Sequence, residues 1–158
     1  MSAKNQNVTA VTINYKRLAE LCDSGFAVAI HIRFTRPSLL FRTYAADWID
    51  YYNEKSFMLV DPTVRWGLTH VGSIEWASLA DDDPDGVLRA ARKFGLENGW
   101  TYATGPATSR SLASMARSTP FTDAQCDEIR EIIDNIHDLT EGFDQLPAET
   151  QSAYRAIG

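Results

Sequence analysis

The stretch Phe26-Ala27-Val28-Ala29-Ile30-His31-Ile32-Arg33-Phe34 constrains this chain more than any other. Large apolar residues at 26, 28, 30, 32 and 34 alternate with small or polar ones, the period of a half-buried strand. Thr35-Arg36-Pro37 turns the chain, and Ser38 to Tyr44 reads as an antiparallel return strand. A sheet with an apolar face has to be covered, and the flanking sequence supplies helices. Residues 12–23 set Tyr15, Leu18, Ala19 and Cys22 on one stripe. Residues 45–55 put Trp48 and Tyr52 on one helix face. Asp61-Pro62 opens a further helix to about Leu68, with Asp61 as N-cap and Pro62 in the first position. A short strand is expected over 71–76. A helix opened by Asp83-Pro84 follows, with Val87, Leu88, Ala91 and Phe94 inward, ending near Asn98-Gly99. Strands over 100–104 and 111–117 flank the Gly105-Pro106 turn. In the last helix Thr122 and Gln125 form a capping box, Phe121 staples onto Cys126, and Ile129, Ile132, Ile133 and Ile136 make the buried stripe. The expected class is α/β: an α-β-α sandwich with a central, mainly antiparallel sheet of about five strands and helices on both faces.

Composition narrows the function. The 158 residues suit one domain. No apolar run reaches the roughly 18 residues of a membrane helix, and Met1 to Thr9 lacks the apolar stretch of a secretory signal. The protein is therefore expected in the cytoplasm, without a membrane partner. Net charge is −6, a poor basis for gripping a phosphate backbone. Cys22 and Cys126, the two cysteines, read as small buried hydrophobes rather than a disulfide.

Several constellations reduce to structural roles. Asp81, Asp83, Asp85 and Gly86 fit the first half of a calcium loop, but Arg92 stands where a bidentate Glu is required; the carboxylates read instead as an acidic helix start. His31, His70 and His137 have no metal-ligand spacing. No nucleophile motif, phosphate-cradling loop or dinucleotide fingerprint is present, so the chain is expected to be no enzyme and to carry no cofactor or metal.

The segment from Tyr44 to Trp76 is richer. It holds Tyr44, Trp48, Tyr51, Tyr52, Asp61, Trp66 and Trp76. On composition alone this is an aromatic core cluster or a pocket with donors and one acceptor, since buried Tyr and Trp need partners for their polar ends.

The spacing resembles the autoinducer-binding domain of LuxR-type (TraR/LasR-like) quorum-sensing regulators. That pattern has a Tyr four before a Trp, a Tyr four after it, an Asp-Pro nine further on and a second Trp fifteen after the Asp; here these are Tyr44, Trp48, Tyr52, Asp61-Pro62 and Trp76. Phe57, the stretch Phe94-Gly95-Leu96-Glu97-Asn98-Gly99, and Ser114 also fit, so the resemblance covers roughly residues 12–140. The chain departs after Gly99, where relatives commonly have a proline and this chain reads Trp100-Thr101-Tyr102-Ala103.

The resemblance implies a transcription-regulating sensor that buries an N-acyl-homoserine lactone and couples binding to folding and homodimerisation, with the helix from Thr122 to Asp138 as dimer surface. Trp48 would donate to the lactone carbonyl and Asp61 would accept the amide N–H. Tyr44 or Tyr52 would donate to the amide carbonyl, Trp76 would pack on the ring, and Ser114 would reach an acyl oxygen. Leu40, Phe41, Met58, Trp100, Tyr102 and Leu112 are the expected wall. Residues 1–140 would be the sensor, and 141–158 a linker with the stub of a missing helix-turn-helix domain, through which alone DNA would be bound. The rival reading is a naturally truncated relative that antagonises a full-length regulator by heterodimerisation.

Overall fold

The computed structural model describes residues 3–158. Helix α1 runs Ala3–Leu21, followed by strands β1 (Gly25–Arg33) and β2 (Arg36–Arg42). Helices α2 (Ala46–Glu54) and α3 (Pro62–Thr69) flank a single turn at Phe57–Leu59. Strand β3 (Gly72–Glu75) leads into tight helical turns over Trp76–Asp82 and then α4 (Val87–Lys93). Strands β4 (Asn98–Thr104) and β5 (Arg110–Arg117) precede α5 (Asp123–Leu139), a turn at Phe143–Gln145, and α6 (Ala148–Arg155). The strands form one five-stranded sheet in the order β2-β1-β5-β4-β3, every neighbouring pair antiparallel. The expected α-β-α sandwich is the fold.

The sheet divides two compartments. Against one face lie α1, α5 and α6, packing Val11, Leu18, Ile129, Ile133 and Tyr154 onto Phe26, Val28, Ile30 and Met115. The stripe Ile129, Ile132, Ile133 and Ile136 of α5 is buried in this core, so the outward side of that helix carries the exposed Asp127, Glu131, Asn135 and Asp138. A partner docking there meets an acidic surface rather than an apolar one. Helix α5 starts with the Thr122–Gln125 capping box, its two bonds 2.9 and 3.1 Å long. Residues 141–158 carry α6, which buries Tyr154 beside Phe143 in the same core.

Two elements differ from expectation for local reasons. Alternation in β1 breaks at His31, which has φ of +51° where the register with β5 shifts between Ala29 and Ile32. A bulge inserts one residue and reverses the faces beyond it, so Ile32 joins the opposite cluster with Leu112 and Phe34 lies 98% exposed in the turn. The helix expected from Asp83-Pro84 starts at Val87 instead. Asp83 caps it from outside, its two carboxylate oxygens accepting from the Val87 and Leu88 amides at 2.8 and 3.0 Å. Those bonds give Asp83 its role at the start of α4.

The bulge also builds a buried polar cluster. His31 Nε2 donates to the His137 carbonyl at 2.9 Å, which leaves His31 Nδ1 to accept from Ser109 Oγ at 2.7 Å. Ser111 Oγ accepts from the His31 amide at 3.1 Å and lies 2.6 Å from His137 Nδ1. The two imidazoles are 4.2 Å apart. Burial, and then His31, lowers the pKa of His137.

Candidate functional site

The second compartment is not filled. A cavity of about 520 Å³ lies between the sheet and the layer formed by α2, α3, α4 and the turns around them. That volume is within the usual range for small-molecule sites. Tyr44, Trp48, Tyr52, Asp61, Trp76 and Ser114 all line it, Trp48 and Tyr52 from α2 and the others each from a different part of the chain, as do Leu40, Met58 and Leu112.

Phe41, Trp100 and Tyr102, also expected in the wall, do not line it; this is a correction. Successive side chains of a strand point to opposite faces, and Leu40 and Thr101 take the cavity side. Phe41, Trp100 and Tyr102 are therefore in the α1–α5 core, where Arg130 lies over Trp100 at 5.2 Å and Tyr102 donates to Asp134 at 2.8 Å.

The polar end is built from α2 and α3. Trp48 is held edge-on by Tyr52 at 5.7 Å and against Phe94 at 5.3 Å. It is 6% exposed, and its indole N–H has no hydrogen-bond partner among the described residues. Asp61 caps α3 as expected, Oδ1 accepting both the amide and the hydroxyl of Thr63 at 2.8 Å. Oδ2 accepts from the Tyr52 hydroxyl at 2.8 Å. Each carboxylate oxygen has two lone pairs, so Oδ2 keeps one for a further donor. Burial raises the Asp61 pKa, and the bonds from Thr63 and Tyr52 oppose that rise.

The sheet supplies the rest. Tyr44 donates to the Ser114 carbonyl at 3.0 Å, and Gly25 makes room for it: a Cβ there would lie 2.8 Å from the Tyr44 Cα. Trp76 Nε1 donates to Thr101 Oγ1 at 3.0 Å, and Thr101 Oγ1 lies 2.8 Å from Ser114 Oγ. Thr101 is fully buried, and Ser114 Oγ is the acceptor within reach of its proton among the described residues. Thr101 therefore donates to Ser114, whose own proton is left for the cavity. Trp76 lies flat on β4 because residue 99 is glycine; a Cβ there would sit 1.8 Å from the indole.

The protons of Tyr44 and Tyr52 are thus already engaged, so neither is a free donor to an amide carbonyl in this arrangement. At the end near α2 and α3, Trp48 Nε1 and Ser114 Oγ are available donors and Asp61 Oδ2 an available acceptor; Thr35, Arg42 and Asn53 also bring polar side chains to the lining. Thr63, Thr101, Ala27 and Ala29 belong to the site as well. The alanines had a signal, since they are the small partners in the β1 alternation. Thr63 and Thr101 had none of comparable strength.

The family model described as the autoinducer binding domain matches residues 23–138. The chain belongs to the LuxR-type autoinducer-binding domains. It is 30% identical over 107 residues to the transcriptional activator protein SolR of Ralstonia nicotianae, covering 66% of this chain and 45% of SolR. It is 31% identical over 88 residues to the regulatory protein SdiA of Escherichia coli, covering 54% of this chain and 37% of SdiA. The chain therefore spans less than half the length of these curated relatives. A solved structure of SdiA in complex with octanoyl-rac-glycerol superposes with a TM-score of 0.64 at 19% identity, covering 91% of this chain and 62% of that one. That likeness concerns the fold. Among the described residues of this autoinducer-binding domain no helix is long and apolar enough to cross a membrane.

Proposed function

We propose that this domain is the cytoplasmic sensor of a quorum-sensing transcriptional regulator, burying an N-acyl-homoserine lactone and coupling its binding to folding and homodimerisation. The observation that carries the reading is the pairing of an unpartnered Trp48 indole N–H with a free lone pair on Asp61 Oδ2 at one end of a largely apolar cavity. A lactone carbonyl needs a donor, an amide N–H needs an acceptor, and an amide carbonyl needs a second donor. Trp48, Asp61 and Ser114 offer that set. Tyr44 and Tyr52 position Ser114 and Asp61, and Trp76 packs against the ring. DNA contact is assigned to a C-terminal domain beyond this chain, and the domain itself performs no chemistry on its ligand.

Without a ligand, the Trp48 indole N–H and the second lone pair of Asp61 Oδ2 face the cavity with no protein partner among the described residues. Ligand at a thousand times its dissociation constant then stabilises the fold by about 4 kcal/mol. The test is expression beside a panel of synthetic lactones, followed by mass spectrometry of what the purified protein retains. A retained lactone that also raises the melting temperature is expected. Protein that retains none of the panel, with an unchanged melting temperature throughout, overturns the reading.

A further inference from the structure

We propose that the site is built for a long acyl chain of about twelve carbons, which runs along the floor over Ala27 and Ala29 to Ile32, beneath a mouth rimmed by Leu40, Met58 and Leu59. This rests on the receptor reading above and names the ligand class within it. The ladder register sets the direction. Ala27 lies between Arg42 of β2 and Ser114 of β5, and Ala29 lies between Leu40 and Leu112. Ser114 belongs to the polar end, so Ala29 and Leu40 are one step further along the cavity floor. On the opposite face β1 carries Phe26, Val28 and Ile30, all fully buried. The strand therefore uses large side chains against the core and alanine against the cavity, and that asymmetry is what hollows the floor.

The floor continues past Ala29. The bulge at His31 returns Ile32 to the cavity side, where its β2 partner is Pro37, and both line the cavity. Along β2, which keeps regular register beside the bulged β1, the same rungs run from Arg42 to Pro37, about 16 Å at roughly 3.3 Å per residue. An extended methylene chain advances about 1.25 Å per carbon from a bond near 1.5 Å, so the same path takes about twelve carbons.

The mouth supplies a second, independent observation. Leu40, Met58 and Leu59 line the cavity and are nevertheless 47%, 45% and 76% exposed. They are three of the six large apolar side chains exposed among the described residues. A four- or six-carbon chain ends over the alanines, leaving the floor beyond it dry and the mouth in water. A chain of about twelve carbons fills the first and covers the second.

The experiment is a set of dissociation constants for the purified chain, read by tryptophan fluorescence, with butanoyl-, hexanoyl-, octanoyl- and dodecanoyl-homoserine lactone. The monoacylglycerols of the same chain lengths form a parallel series. Affinity is expected to rise by about two- to fourfold per added methylene up to dodecanoyl, as burial of CH₂ groups requires. Ala29→Leu, which fills the floor, is expected to weaken dodecanoyl binding by tenfold or more and butanoyl binding much less, so that the length preference shifts toward short chains. Leu59→Ser, at an exposed position that does not support the core, is expected to weaken dodecanoyl binding several-fold and to spare hexanoyl. It carries the test if Ala29→Leu fails to fold.

Affinity that peaks at butanoyl or hexanoyl overturns the inference. So does a folded Ala29→Leu protein, or a Leu59→Ser protein, with an unaltered length preference. If no lactone binds while the acylglycerols follow the same length ladder, the lactone reading falls and the long-chain inference stands. Absence of binding in both series overturns both.

Discussion

The Tyr52 hydroxyl donates to Asp61 Oδ2 at 2.8 Å while Thr63 occupies both lone pairs of Asp61 Oδ1. One carboxylate therefore caps a helix, anchors an aromatic ring and keeps a single lone pair for the cavity. Asp61→Asn should break the last role far more than the first. Asn caps helices nearly as well as Asp, but its NH₂ must face either Thr63 or Tyr52, both of which donate. Lactone affinity should fall about a hundredfold, near 3 kcal/mol, and urea stability should also fall, by about 1–3 kcal/mol for a buried donor set against a donor. Titration of both proteins checks this, and equal affinities would move the site elsewhere.

Trp48→Phe removes a donor that has no partner in the unliganded domain. The apo protein should lose about 1 kcal/mol for the smaller ring in its packed cluster, whereas lactone binding should weaken by about 1–3 kcal/mol beyond that. Thermal melts with and without ligand separate the two effects. Loss of apo stability with lactone affinity unaltered would mean that the indole only packs.

Acid should weaken the ligand before it reaches ordinary carboxylates. Burial raises the Asp61 pKa, and a protonated Oδ2 offers a proton where an acceptor is needed. Affinity is expected to fall as pH drops through a midpoint above the usual value of about 3.9. Dissociation constants measured between about pH 4 and 7 test this, with Asp61→Asn giving a flat profile at its lower affinity. For the empty domain the sign is reversed. A folded pKa above the unfolded one means that the native state binds more protons, so Asp61 favours folding at low pH and that contribution is lost as pH rises through the folded value.

His137 acts in the opposite sense. Its folded pKa lies below the usual value of about 6.5. Below about 6.5 the unfolded chain takes up a proton that the native state does not, so stability falls with pH until the depressed value is passed. Urea unfolding at pH 7.5 and 5.5 should show that loss, reduced in His137→Gln, which keeps an acceptor for Ser111. An equal loss in the two proteins would place the acid sensitivity in another group.

Much of the site was legible because spacing along the chain carried it. Trp48 and Tyr52 share a helix face, and Asp61-Pro62 announces a helix start whose cap then faces the aromatic pair. The wall was less legible, for a reason that Phe41 illustrates. It stands beside Leu40 and is equally apolar, so only the strand's phase decides which of them sees the cavity, and no local signal fixes that phase. Trp100 and Tyr102 fail the same way: the small Thr101 between them is the residue that joins the site. Ile32 was misplaced because a bulge depends on tertiary bonds of His31 that alternation does not encode. The turns over Trp76–Asp82 and the packed α6 lack a long apolar period.

The alanine floor of β1 has a consequence for how such receptors diverge. On the reading proposed above, head recognition and tail measurement would sit on successive rungs of one ladder, Ala27 with Ser114 and Ala29 with Leu112. Altering the bulk on one rung leaves the hydrogen-bonding groups of the other in register. Tuning to a new signal and retaining the grip on its common end are separable problems in this architecture, and a single side chain facing the floor is enough to set the gauge.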